Sequence, residues 1–517
     1  MSYQQALRQI VNDSRLNTQQ KARYLSLQAE SMLDCPRWSE GAQELLDSGV
    51  VCDMFEGNAP FKPRYVMPDY EKALKKGSDY LELEAPEDLD EAINFLLILF
   101  NHVPSVTGMP VFVGRLDKLL MPFVNDGISD DQLKKKIKLM WQMIDRTLPD
   151  AFLHANIGPE DNRVARAILS VDGELEQVVP NLTLRYDPEI TSDGLLNQAI
   201  ENISKTNKPH IANEALNVAD FKALGDYQGY GIASCYNCLP LAGGAHTLVR
   251  MNLLKAAQQS EGSEQDFLER VIPEISEKMY EIIQARVNYL VNDSGFYKES
   301  FLVRERFIDP NRFTAMFGVF GMAEAVNHLL GVEAEKGYGH TIEAKEFAIR
   351  ITEKLAAIVE STKLENCWHS RALFHSQSGI SIDAATSAGC RIPYGVEPST
   401  LEHILTVIPH HRHFTAGVSD IFPIDETIKN NPQALATICK GAIAQGLRMF
   451  TVNVANNDLV RVTGYMVRRS DIKKHKEEGS RINSTVFGAE AAENCGILDR
   501  KSRVISNEFQ PWVAMGE

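Results

Sequence analysis

Arg461-Val462-Thr463-Gly464-Tyr465 follows closely on the strand-like run Phe450-Thr451-Val452-Asn453-Val454, near the C-terminal end of a 517-residue chain. Alternating β-branched and aromatic residues with a glycine just beyond them read, on their own, as a strand that ends in a turn. Glycine suits such a place because it has no Cβ, which frees its backbone and lets other chain segments come close. What Gly464 does therefore depends on what the rest of the chain brings to it.

The segment that bears on this is Gly229-Tyr230-Gly231-Ile232-Ala233-Ser234-Cys235-Tyr236-Asn237-Cys238-Leu239-Pro240, with Gly243-Gly244 shortly after. Its glycines suit a tight loop, and it carries two of the eight cysteines. Cys35, Cys52, Cys367, Cys390, Cys439 and Cys495 sit singly among apolar or helical residues and read as inert core thiols. So few cysteines in so long a chain make no disulfide framework, and free thiols are expected. A C-x-x-C pair such as Cys235/Cys238 also suits a redox couple or half a zinc site. Redox pairs usually open a helix after a strand in a small domain, and no second C-x-x-C completes a zinc centre.

Together these two loops resemble the glycyl radical enzyme family. In that family the glycine of an Arg-Val-x-Gly-Tyr loop stores an unpaired electron on Cα, and a cysteine at the tip of a loop threaded into a barrel relays it to substrate. Val179-Pro180-Asn181-Leu182-Thr183-Leu184-Arg185-Tyr186, Lys208-Pro209-His210-Ile211-Ala212-Asn213-Glu214, Gly318-Val319-Phe320-Gly321-Met322-Ala323-Glu324-Ala325 and Gly446-Leu447-Arg448-Met449 resemble further family segments. The likeness runs from roughly residue 90 to the end of the chain, and is greatest to the YjjI-type glycine radical proteins. It implies an α/β fold: a ten-stranded α/β barrel with surrounding helices over residues 1–445 and a C-terminal glycine-radical module over 446–517. It places the stored radical on Gly464 and the thiyl on Cys235 or Cys238, with Arg461, Val462, Thr463 and Tyr465 supporting the radical loop. It further implies no bound cofactor, a separate S-adenosylmethionine radical activating enzyme as partner, a small organic substrate, anaerobic action and a homodimer.

Departures from the better-known members narrow the chemistry. Decarboxylases and diol or amine lyases of the family carry a basic glutamate two residues after the radical cysteine; here Asn237 occupies that place, and an amide cannot take a proton. Acyltransferases use two adjacent cysteines, whereas Ser234 precedes Cys235. Residues 440–463 hold no cysteine for the zinc site of anaerobic ribonucleotide reductases. The expectation is lyase chemistry; a two-thiol acyltransferase and a non-catalytic or redox-thiol protein are the alternatives. Asn237, Arg185, His246, Arg391 and Tyr394 are candidate pocket residues by polarity, and Glu324 is either a paired core residue or a substrate group. His410-His411-Arg412-His413 with Asp420 contains suitable metal ligands, but adjacent histidines diverge on any regular element, so a loop cluster facing solvent or substrate is expected and no metal. The paired glycines complete no nucleotide-binding fingerprint.

Composition agrees with an enzyme acting on small molecules. A formal charge of −16 repels polyanions, which disfavours nucleic-acid binding. The N-terminus lacks a signal-peptide layout and no apolar run approaches the ~18 residues of a membrane span, so a cytoplasmic location is expected. Ala92–Phe100 is short enough to be a buried helix. The first sixty residues read as helical wrapping, Asn58–Arg64 as a loop, and Asp471–Glu478 as a solvated helix or loop.

Overall fold

The computed structural model describes the chain apart from residues 1, 31, 34–35, 53–60, 106–107, 109, 149–151, 377–385, 419, 463 and 495–517, and the side chains of 234, 490, 491, 493 and 494. Thr463, Cys35, Cys495, residues 58–60 of the 58–64 loop and the tail beyond 494 thus lie outside the described residues.

The run Asn181–Tyr186 forms a strand buried along its whole length. It lies between His154–Ile157 and His210–Asn213, with Phe112–Arg115 beyond, all four parallel and ordered in space as in sequence. Helices Arg163–Leu175, Asp193–Thr206 and Glu214–Leu224 follow the strands, capped by Asn162, Ser192 and Asn213. Strands of this kind are covered on both faces and read as continuous apolar runs. Met449–Phe450 completes this first sheet, antiparallel to His210–Asn213.

The second sheet is built on Gly243–Asn252, parallel to Phe313–Phe320, which is parallel to Ala372–Ser376. Val51–Cys52 and Tyr65–Met67 add to Gly243–Asn252 antiparallel. Alternation divides its residues between two cores. Val249, Met251, Phe317 and Val319 share one with the helices Ile272–Asn288 and Ile342–Ser361; Leu248, Met316 and Leu373 share the other with the first sheet and the cysteine segment.

That segment is an antiparallel hairpin, Tyr230–Ala233 paired with Asn237–Pro240, lying between the sheets. Asn156 of the first sheet clasps it: its side chain donates to the Ile232 carbonyl (2.8 Å) and accepts from the Ile232 amide (2.9 Å). Its other strand donates from the Cys238 amide to the Ala416 carbonyl.

The α/β class is as expected, but among the described residues no hydrogen-bond ladder joins the two five-stranded sheets into one closed ten-stranded barrel. The run Phe450–Val454 also divides. Met449–Phe450 joins the first sheet, while Val452–Val454 pairs with Phe422–Ile424, and between them the Thr451 carbonyl accepts from the Phe422 amide. Leu459–Arg461 and Met466–Arg468 form a small hairpin that carries Gly464 at its turn. Leu89–Phe100 is helical as read, and Arg469–Glu478 is a helix with most of its charges exposed. His410 and His411 do not lie in a loop: they end the helix Thr400–His411 and are buried. Among the described residues no helix is long and apolar enough to cross a membrane.

Candidate active site

The cysteine hairpin and the glycine turn meet tip to tip. Cys235 and Tyr236 turn the hairpin in the left-handed region, with φ of 53° and 63°. Two successive non-glycine residues there are strained, and such geometry persists only where the surroundings over-determine it. Gly464 supplies part of that surrounding: a Cβ built on it would lie 1.8 Å from the Cys235 Cα and 2.1 Å from its nitrogen. Nothing but glycine fits against that backbone. On the opposite side Gly417 does the same service, since a Cβ there would meet the Tyr236 carbonyl oxygen at 1.8 Å.

The glycine turn is held by polar contacts from the first sheet. Asn181 donates to the Gly464 carbonyl at 2.7 Å. The fully buried Arg461 donates to the Asn207 carbonyl (2.8 Å), to Asn181 Oδ1 (3.0 Å) and to the Tyr236 hydroxyl (3.3 Å), tying the turn to the hairpin tip. Asn453 brackets the Arg461 backbone, accepting from its amide and donating to its carbonyl. Val462 closes the turn by donating to the Tyr465 carbonyl, and its own carbonyl is approached by Arg391 (3.4 Å) and the Tyr394 hydroxyl (3.5 Å). Tyr465 packs edge-on to Phe152 and Phe487, and Gly488 leaves the room its ring fills. Of the four predicted supporting residues, Arg461, Val462 and Tyr465 therefore touch the turn or its anchors, while Thr463 lies outside the described residues.

Beneath Tyr236 runs a buried chain, His154 Nε2 to Thr183 Oγ1 at 2.7 Å and Thr183 Oγ1 to His210 Nε2 at 2.6 Å, with the His210 ring 4.5 Å from that of Tyr236. Burial holds both imidazoles well below the usual histidine range, and the Arg461 charge pushes the same way. Asn237 donates to the Tyr65 hydroxyl at 3.0 Å. Cys238, fully buried, lies 3.9 Å from Asn217 Oδ1, and burial pushes its thiol up to about 12. Its thiolate is scarce at neutral pH.

Three other predicted residues are engaged elsewhere. Arg185 sits at the base of the hairpin, bidentate on Glu214 (2.8 and 2.6 Å) and 4.2 Å above the Tyr230 ring, beside a cleft of about 850 Å³ lined by Lys72, Lys76 and Arg115. His246 uses both ring nitrogens within the fold, one on the Asn366 carbonyl and one on the Tyr297 hydroxyl, and burial lowers it to about 4. Glu324 accepts from the amide and hydroxyl of Ser387, pinning the irregular segment that leads to Cys390 and Arg391.

Cys390, His411 and Asp420 bring their ligand atoms within 4.8 Å of one another, fully buried. The Arg448 amide donates to His411 Nδ1 (3.1 Å), so Nε2 carries the proton and gives it to Asp420 at 2.7 Å; the Cys390 thiol donates to the same oxygen at 3.3 Å. A cation on Nε2 would leave Nδ1, now needing a proton, facing an N–H donor. The donor set reads as a hydrogen-bonded cluster, not as a metal centre.

Asn181, Asn156, Gly417 and the His154–Thr183–His210 chain went unmarked in the sequence. Asn181, Thr183 and His210 stand inside segments already singled out; nothing local distinguishes Asn156 or Gly417.

Comparison with known proteins gives the family and the fold. The chain is 52% identical over 510 residues to the Escherichia coli (strain K12) protein YjjI, covering 98% of this chain and 97% of that protein. It is 37% identical over 504 residues to a protein of Haemophilus influenzae, covering 95% and 96%. In structure it is similar to hydroxyproline dehydratase from Clostridioides difficile (TM-score 0.68, 13% identity, 94% of this chain and 88% of that one). A B12-independent glycerol dehydratase from Clostridium butyricum is similar at TM-score 0.67 and 11% identity, with the same coverage. An anaerobic ribonucleotide reductase is similar at TM-score 0.67 and 12% identity, covering 92% and 84%. Residues 16–503 match the family described as glycyl radical enzyme YjjI-like, and the chain belongs to that family.

Proposed function

We propose that this protein is a lyase in which Gly464 stores a radical and Cys235 relays it to a small organic substrate. The observation that carries the reading is the contact between the two tips, where a Gly464 Cβ would fall 1.8 Å from the Cys235 Cα. Hydrogen passes from the Cys235 thiol to the glycyl carbon, leaving a thiyl; the thiyl takes hydrogen from a substrate C–H; and the product radical takes it back. Each transfer breaks one bond to hydrogen and makes one, so the radical is conserved. The protein's part is to fix distances and keep water and oxygen out. Cys238 assists at most as a second, protonated thiol. That state favours the lyase over the acyltransferase reading, which needs a nucleophilic second sulfur.

In this reading the two sheets are the halves of a ten-stranded barrel wrapped on the hairpin. Residues 1–445 are the catalytic part and 446–517 the glycine-radical part. No cofactor is bound. Gly464 is buried, with its carbonyl engaged, so a separate S-adenosylmethionine radical activating enzyme reaches it only once the turn swings out. The protein then works as a homodimer in the cytoplasm without oxygen.

The test is electron paramagnetic resonance on protein activated anaerobically by its activating enzyme. A doublet is expected, with chain cleavage at Gly464 on exposure to air. In D2O the thiol exchanges its hydrogen and returns deuterium to Gly464, so the doublet narrows. Cys235→Ala should stop that narrowing and Cys238→Ala should not. Absence of signal and cleavage with a competent activating enzyme would overturn the reading.

A further inference from the structure

The cleft of about 850 Å³ beside Arg185 opens where parallel strands of the first sheet end. Arg115 is the last residue of Phe112–Arg115, and Arg185 the last but one of Asn181–Tyr186. In parallel α/β sheets ligands are held outside the carboxyl ends of the strands, and the volume is that of a small-molecule site. Tyr230 and Leu241, at the base of the cysteine hairpin, form a further wall, and Tyr70 and Phe112 supply an apolar floor.

The charge of the cleft is the reverse of the chain's. Lys72, Lys75, Lys76, Arg115, Lys118 and Arg185 line it against the carboxylates of Asp69 and Glu71, in a chain of net charge −16. Arg185 is matched by Glu214 and Arg115 by Glu160, each at 2.6 Å. Lys118 and Lys75 share the one carboxylate of Glu71, at 2.8 and 2.7 Å, and together hold it down to about 2. Asp69 caps the helix Tyr70–Lys76 by accepting from the Lys72 amide. Among the described residues the Lys72 ammonium forms no ion pair, and that of Lys76 lies 5.8 Å from the Phe307 ring with no carboxylate in reach. The cleft therefore keeps an excess of positive charge. Lys72 and Lys76 stand four residues apart on one helix, so both ammonium groups serve the same face.

We infer that this cleft binds a small phosphate monoester, its phosphate on Lys72 and Lys76 and its carbon skeleton against Tyr70 and Phe112. A phosphate monoester brings nearly two negative charges at neutral pH and three acceptor oxygens, which match two uncompensated ammonium groups; a carboxylate brings one charge. The site is distinct from the thiol. Tyr230 and Cys235 are five residues apart along the hairpin, about 15 Å of extended chain, so a small molecule held at the hairpin base does not touch the cysteine tip. The inference does not depend on the radical reading above.

The test is calorimetry on the full-length protein without activation, with glycerol 3-phosphate, glycerate and inorganic phosphate as probes at one ionic strength. Glycerol 3-phosphate should bind saturably, at least about tenfold more tightly than glycerate, and inorganic phosphate should displace it. Lys72→Gln combined with Lys76→Gln should weaken it at least about tenfold, while Lys72→Arg with Lys76→Arg keeps most of the affinity. Lys134→Gln with Lys135→Gln removes the same charge from the helix Asp130–Thr147, outside the cleft. That control pair should change the affinity less than about twofold. All four lysines are exposed, so the variants should fold. No saturable binding, glycerate binding as tightly, an affinity unchanged in the Lys72 and Lys76 pair, or equal losses in the two glutamine pairs would overturn the proposal. None of these measurements involves the glycyl signal.

Discussion

The two sides of the cysteine tip are built on opposite rules. Toward the first sheet, a glycine is pressed against backbone: Gly464 on Cys235, its carbonyl held by Asn181 and its turn by Arg461. Toward the second sheet, a glycine gives its space to a side chain: Gly318 lies beneath Arg250, with the bare nitrogen of His375 alongside. Polar atoms are left over on the first side too, among them Nδ1 of His154 and His210, under the hairpin. The difference teaches that a glycine pressed on backbone has no clearance to give, whereas one beside a side chain has a neighbour that can shift.

Substitution at the two glycines probes this most directly. Gly464→Ala should abolish the doublet and the cleavage by air. The variant should also be strained at the tips, because neither backbone yields as a side chain tip would. Forcing a methyl into packed structure costs about 1–3 kcal/mol, and the upper end is expected here. Urea unfolding measures it, and a loss under about 1 kcal/mol would show that the tips are not in contact.

Asn181→Ala tests the same side with a smaller effect. It leaves the buried Gly464 carbonyl and one Arg461 N–H without their partner, a loss of about 1–3 kcal/mol. It should also shorten the lifetime of the doublet under trace oxygen. An unchanged lifetime would mean that packing alone seals the turn.

How much of this was legible beforehand depends on whether the signal is local. The glycine turn and the tight cysteine loop were, because each is a short segment whose residue types limit its conformations, and so was the helix Leu89–Phe100. The division of Phe450–Val454 between two sheets was not, since periodicity tells which residues are extended but not which neighbour they pair with. The histidines at 410 and 411 were misread as a loop because adjacent imidazoles diverge on any regular element, yet here they end a helix, each buried against a different partner. Asn156, Gly417 and His375 went unmarked for one reason. Their importance lies in contacts across 76, 181 and 42 residues of chain, to Ile232, Tyr236 and Gly417 respectively.

Gly318→Ala sharpens the comparison from the other side. Its Cβ would meet Arg250 Cγ at 2.8 Å and Leu248 Cδ1 at 3.0 Å, both side-chain atoms that can shift. The cost should be about 1 kcal/mol, well below that at Gly464. The doublet should be unaltered. A penalty as large as that of Gly464→Ala would erase the distinction between the two glycines.

The smallest effect is one of pH, and its sign follows from His375. The folded imidazole is held near 3 by burial and by the charges of Arg64 and Arg250, against an ordinary value of 6.5. Below 6.5 the unfolded chain takes up a proton that the native protein refuses, so the stability contributed is complete above pH 6.5 and is lost progressively as pH falls toward 3. His246 and His410, lowered to about 4 and about 3, act in the same window. Wild type should therefore lose stability between pH 7 and pH 6, and His375→Gln should lose less, the difference being under about 1 kcal/mol at pH 6. Equal losses in the two proteins would mean that His375 takes its proton in the folded state, which the neighbouring arginines oppose. The bare acceptor would then be gone, and with it the asymmetry between the two sides of the tip.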